Sequence, residues 1–180
     1  MSTRGFLGFV VDGQEKIAYN QHDSAPAGLG TAVMAWAELT DLEAARRAAH
    51  NLRVVTDEDV PTAEAIERLK PYTDDLEHIG REGPSWDELL WKTQGDPQAI
   101  LTCGYIADAS AFAAYFAEWG YLVNFDSGEL EVYRGQQDAP HHDGRFADRT
   151  PAQETSWPVR LVATFLLGRA DYDALQGLSA

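Results

Sequence analysis

The stretch Arg4-Gly5-Phe6-Leu7-Gly8-Phe9-Val10-Val11-Asp12-Gly13-Gln14-Glu15-Lys16-Ile17-Ala18-Tyr19-Asn20 decides the fold class. Residues 4–11 are rich in β-favouring side chains, and Asp12-Gly13 is a dipeptide suited to the positive φ angles of a two-residue hairpin turn. Residues 15–20 then read as the returning strand. No Gly-x-Gly-x-x-Gly follows the first strand, which disfavours a doubly wound parallel sheet with a dinucleotide site.

Further strands lie far along the chain. Residues 121–125 and 129–133 flank Asp126-Ser127-Gly128, and their alternation of apolar and polar residues predicts a second hairpin with one solvated face. Residues 159–167 form a nearly continuous apolar run that predicts a central buried strand. The predicted class is therefore α+β: an antiparallel-rich sheet of about five strands, two hairpins plus a late central strand, covered by helices on one face.

Helices fill the middle of the chain. A Gly- and Pro-bearing loop delivers the chain to a helix starting near Thr31, with Val33, Met34, Trp36, Ala37 and Leu39 as a broad apolar face. Thr40-Asp41-Leu42-Glu43 has capping-box spacing, which predicts a new helix buried through Leu42, Ala45, Ala49 and Leu52. Short amphipathic helices are expected around Ile66 with Leu69, Leu76 with Ile79, and from Trp86 to Lys92 behind a second capping box, Ser85-x-x-Glu88. Residues 100–106 fit a short strand or a helix end equally well. Residues 110–119 read as a helix with Phe112, Tyr115 and Phe116 on one side. Residues 138–156 read as a long polar loop, and 170–180 as a short helix or a loose tail.

The 180 residues suit a single domain, 1–180. Lys plus Arg number 14 against 29 Asp plus Glu, and the net charge of −15 repels phosphate backbones and anionic lipid, so neither nucleic acid nor membrane is an expected partner. Between residues 57 and 88, eleven acids face three bases. The lone Cys103 excludes an intrachain disulfide and a cysteine zinc site, and a free thiol suits the cytoplasm. No apolar stretch near the start has the length of a membrane span. No cofactor motif is present. His141-His142-Asp143 resembles a ligand cluster, but neighbouring histidines rarely face one metal, so no metal site is predicted.

Thr3-Arg4, Asp12-Gly13, Lys16 and the run Tyr19-Asn20-Gln21-His22-Asp23-Ser24-Ala25-Pro26-Ala27-Gly28-Leu29-Gly30 resemble an uncharacterised family of actinobacterial, phage and fungal proteins. Its members open with Thr-Arg, carry an Asp-Gly hairpin and continue into a Tyr-(Asn/Gly)-Gln-x-Asp-(Ser/Gly)-Tyr-Pro-x-Gly-x-Gly loop; here Ala25 stands where the family usually has Tyr. Residues 86–90, 93–96, 121–126, 129–135 and 158–164 extend the resemblance over most of the chain. It supplies no activity; its phage members imply an accessory role in phage–host biology.

The loop from Tyr19 to Gly30 is the predicted site. Arg4, Tyr19, Asn20, Asp23, Gly28 and Gly30 are the candidate ligand-binding residues: Arg4 within reach of Asp23, and the Gly-Leu-Gly lead into a helix offering amides to an anion. The bland reading is that Arg4 and Asp23 simply pin the loop to the sheet. Tyr19, Arg4 and one exposed tryptophan, Trp91 or Trp157, would line a pocket for a small planar or anionic ligand. Recognition of a small molecule or protein partner is thus the leading expectation. A small amide or ester hydrolase is the alternative, using Ser2 as an N-terminal nucleophile, or Ser24 with His22. The opening also resembles faintly that of the choloylglycine hydrolases, although about five strands cannot supply that fold's two sheets. The third reading is an acidic protein that imitates DNA or meets a basic partner through residues 57–88.

Overall fold

The computed structural model describes residues 3–74, 83–153 and 156–179. Asp12 and Gly13 both adopt positive φ, 52° and 73°, the conformation whose twist matches the flanking strands. Strand β1 (Gly5–Val11) therefore pairs antiparallel with β2 (Gln14–Asn20), Val11 opposite Gln14 and Gly5 opposite Asn20. The Asp126 carboxylate accepts from the amides of Asp12 and Gly13 at 3.0 and 2.8 Å, fastening this turn to that of the second hairpin.

The second hairpin is β5 (Trp119–Asn124) and β6 (Glu129–Arg134), and the last strand is β7 (Arg160–Leu166). The sheet order is β2-β1-β5-β6-β7, antiparallel except for β1 beside β5. The five-stranded, mostly antiparallel α+β architecture is as expected, with one correction: β7 is an edge strand, not a central one. Its apolar run is only half covered, while the centre belongs to β1 and β5, buried along their whole lengths. Because parallel neighbours need a crossover, the chain between them carries most of the helices.

Both faces of the sheet are covered, against the expected one, and the second hairpin has no solvated face. On the first face Leu7, Phe9, Tyr121 and Val123 pack against α1 (Thr31–Leu39), α2 (Leu42–Asn51), α5 (Pro97–Cys103) and α7 (Tyr172–Gly177). On the second, Phe6, Val10, Ile17 and Leu122 meet α6 (Ser110–Tyr115) and the segment 138–159. The described part of 138–156 holds no helix and only isolated bridges, yet it is no solvated loop. Phe146 is fully buried and meets Phe6 and Tyr133 edge-on at 6.0 and 5.2 Å. Beside it Arg145 donates to Glu131 at 3.0 and 2.7 Å, and Glu131 also accepts from Asn124 and Tyr133, both at 2.6 Å. Burial raises the Glu131 pKa, but these donors outweigh it and hold the carboxyl below its usual range.

Helix ends follow local chemistry. Asp41, not Thr40, caps α2, its side chain accepting from Ala44 N–H at 3.0 Å. The Ser85–Glu88 capping box forms, but α4 (Trp86–Leu89) is short and passes into a 3-10 turn, Trp91–Thr93. Gly104, at φ 80°, divides residues 100–106 between α5 and β4 (Tyr105–Ala107). Strand β4 pairs in parallel with β3 (Arg53–Val55), a strand too short to show in the sequence pattern. With α3 (Ala63–Leu69) and α4 this small sheet encloses a separate core of Val55, Leu69, Trp86, Leu89 and Cys103. Helix α6 ends at Tyr115, short of the expected residue 119, because β5 begins at Trp119; Ala113 and Ala114 are fully buried, Phe112 and Tyr115 half-covered against the same core, and Phe116 is exposed. Leu39 is likewise exposed, and α7 is no loose tail, since Leu175 is fully buried. The helix expected around Leu76 and Ile79 lies outside the described residues. Among the described residues no helix is long and apolar enough to cross a membrane.

Candidate functional site

Strand β2 has β1 on one side only, and its outer edge faces the small β3–β4 sheet. Lys16 sets that juxtaposition. The residue is 6% exposed, and its ammonium donates to the carbonyls of Ala49, His50 and Leu52 at 2.8, 2.8 and 3.0 Å. These lie where α2 ends and the chain turns into β3, so the lysine satisfies orphan carbonyls and binds the second layer to β2.

A groove runs between the two layers. Its middle is a cavity of about 170 Å³ walled by Tyr19, Leu90, Trp91, Tyr105 and Ile106, with Asp87 and Asp108 beside them. At one end Trp91 and Gln94 lead into a recess of about 410 Å³ bordered by Asn20, His22, Asp23 and Gly28. At the other, Tyr19, Asp87 and Asp108 lead into a trough of about 790 Å³ lined also by Asp57, Glu58 and Phe112. The aromatic walls brace one another: Tyr19 meets Phe112 edge-on at 4.7 Å, and Trp86 stacks behind Tyr105 at 5.3 Å. Arg53 and Arg68 lie 5.9 and 5.8 Å from the Tyr105 ring, outside the lining. Trp91 is 40% exposed.

The carboxylates differ in their occupation. Asp108 accepts from the backbone and hydroxyl of Ser110 at 3.0 and 3.1 Å. Asp87 has neither a hydrogen bond nor an ion pair with any described residue. Asp87 is exposed, but partial desolvation by the protein, then the charges of Asp57 and Glu88, push its pKa up, so a cation placed there would be welcomed.

The structure distributes the predicted residues unequally. Tyr19, Asn20, His22, Asp23 and Gly28 border the groove. Asn20 holds the loop, donating to the His22 carbonyl and to Ser24 Oγ, the latter at 2.8 Å. Ser24 is fully buried; its hydroxyl meets Asn20 and its carbonyl accepts from Tyr121 OH at 3.0 Å. Gly30 lies against the Tyr121 ring, where a Cβ would come within 2.8 Å, and Gly28 leaves room for the Asp23 carboxyl. Ser2 lies outside the described residues.

Two expectations about this loop are corrected. Arg4 makes no ion pair with Asp23; its amide donates instead to Glu118 at 3.1 Å, and Arg4 takes no part in the groove. The Gly-Leu-Gly lead is a π-helical turn, Pro26–Gly30, in which Gly28 and Gly30 N–H donate to Ala25 O and Leu29 N–H donates to Asp23 O at 2.8 Å. Thr31 N–H also turns back to Gly28 and Pro26, so these amides are spent inside the loop and offer no anion cradle.

Trp91 was legible as a half-exposed tryptophan, whereas Trp157 lies at a bridge with Gln137, away from the groove. Asp87, Gln94, Tyr105 and Asp108 were missed: Asp87, in the first turn of capped α4, looks like any solvated helix residue, and Gln94, Tyr105 and Asp108 carry no local signal that they border one groove. Among the described residues no group of three His, Cys, Asp or Glu side chains could hold a metal. Both His141 ring nitrogens are engaged, Nε2 with Pro158 O at 2.9 Å and Nδ1 with Asp143 N–H at 3.3 Å. Cys103 is buried, and that burial pushes its thiol pKa up. No family model, curated protein or solved structure matches the chain.

Proposed function

We propose that the protein is a recognition module that takes a small ligand, or a side chain of a protein partner, into the groove beside β2. The observation that carries this reading is the continuity of the groove from Asp23 past Trp91 and Tyr19 to Phe112, with Asp87, which pairs with no described residue, midway. A mostly apolar cleft with few convergent polar groups is the common form of a binding site. The site keeps the Tyr19 end of the loop and replaces Arg4 by carboxylates, so the favoured ligand is cationic, not anionic. The net charge of −15 adds long-range attraction for it.

The test is a fragment screen followed by ¹H–¹⁵N NMR. Binders are expected to move the Tyr19, Gln94 and Asp108 amides together with the Trp91 indole. Hits that cluster elsewhere and leave these signals still would defeat the proposal.

A further inference from the structure

The hairpin register fixes which backbone groups of β2 face the groove. Val11 and Gln14 close a two-residue turn, so the hydrogen-bonded pairs with β1 are those of Gln14, Lys16, Ala18 and Asn20. The N–H and C=O groups of Ile17, Tyr19 and Gln21 then point outward. One group of each flanking position is engaged: Ile17 C=O accepts from Ala109 N–H at 2.9 Å, and Gln21 N–H donates to Gln94 Oε1 at 3.0 Å. Tyr19, between them, has its N–H and C=O directed to the cavity it lines, and no described residue pairs with them. The Tyr19 slot of this edge strand is thus open on both its N–H and C=O.

The cavity at that slot, about 170 Å³, is smaller than the roughly 300–1,000 Å³ of an ordinary small-molecule site. It is the size of one long side chain. Its walls include the Trp91 and Tyr105 side chains, Trp91 being 40% exposed, and Asp87 stands beside them with no hydrogen bond or ion pair to a described residue. The half-exposed Trp91 indole and a carboxylate that no described residue pairs with together select a guanidinium or ammonium.

Resting on the reading of this groove as the recognition site, we propose that its occupant is an extended basic segment of a protein partner. The segment adds to β2 through the N–H and C=O of Tyr19 and lodges an Arg or Lys side chain between Trp91 and Tyr105, against Asp87. Main-chain pairing supplies affinity and the cavity supplies the choice of side chain, as in other strand-addition complexes.

The test uses the full chain, ¹⁵N-labelled, with acetylated and amidated heptapeptides of randomised flanks whose central residue is Arg, Lys, citrulline or norleucine. Arg and Lys peptides are expected to shift Tyr19 and Trp91 and to slow hydrogen exchange at the Tyr19 amide about tenfold. Asp87→Asn, checked for native signal dispersion, is expected to weaken them about tenfold. Equal binding of citrulline or norleucine peptides would overturn the basic side chain, and argininamide binding as tightly as the peptides would overturn strand addition; either leaves the recognition reading standing. If no peptide moves the groove signals while other fragments do, the basic-segment proposal alone falls. If neither moves them, both fall.

Discussion

Replacing Lys16 by Met tests whether a single ammonium joins the two layers of the molecule. Methionine keeps most of the apolar stem but removes all donors to Ala49, His50 and Leu52. Three charge-assisted hydrogen bonds at the low end of about 1.5 kcal/mol each sum to about 4.5 kcal/mol. Loss of the ammonium's desolvation penalty offsets part of this, leaving a net destabilisation of about 3 kcal/mol. In urea, with a slope of about 2 kcal/mol per molar, the midpoint should fall by about 1.5 M. Lys16→Arg should also lose stability, because a planar fork cannot present three N–H groups from one atom to three converging carbonyls. A midpoint within about 0.3 M of the parent for Lys16→Met, at unchanged slope, would refute the assignment.

Other expectations follow from the same packing. Glu131 has a lowered pKa in the folded chain and an ordinary one unfolded, so its contribution is present above the usual carboxylate range and is lost as pH falls through the folded value. Glu131→Gln should therefore differ most from the parent near neutrality and converge with it in acid, which urea melts at several pH values would show; parallel curves would contradict it. Gly120→Ala would set a Cβ 2.0 Å from the Phe6 ring, and a loss of more than about 3 kcal/mol is expected in the same melts. Gly13→Ala has open space but a φ of 73° and should lose only about 1 kcal/mol. Trp91→Ala should change stability by less than about 1 kcal/mol, as befits a half-exposed side chain, while abolishing the groove shifts seen with binders.

The fold class was readable because hairpins declare themselves locally: Asp12-Gly13 and Asp126-Ser127-Gly128 each dictate the strands around them. Strand order is another matter. Nothing local to residues 159–167 distinguishes a central strand from an edge strand whose side chains are only half covered, and β3 is shorter than any pattern can register. The solvated look of 138–156 concealed Phe146 and Arg145, since one buried ring and one paired cation do not alter a segment's composition. At the site, Tyr19 and Trp91 were legible from their residue types and neighbours. Asp87 and Asp108 were not, because what sets them apart is the edge of β2, brought alongside by a crossover and a lysine cap.

The parallel seam between β1 and β5 has a consequence for biosynthesis. Gly5 aligns with Trp119 and Val10 with Asn124, so the middle of the sheet cannot close until more than a hundred intervening residues have been translated. Until then the first hairpin emerges with Phe6, Leu7, Phe9 and Val10 on a strand whose second edge is open, an invitation to pair with another nascent chain. Synthesis rate and early chaperone contact, more than final stability, should govern how much of this protein a cell recovers in folded form.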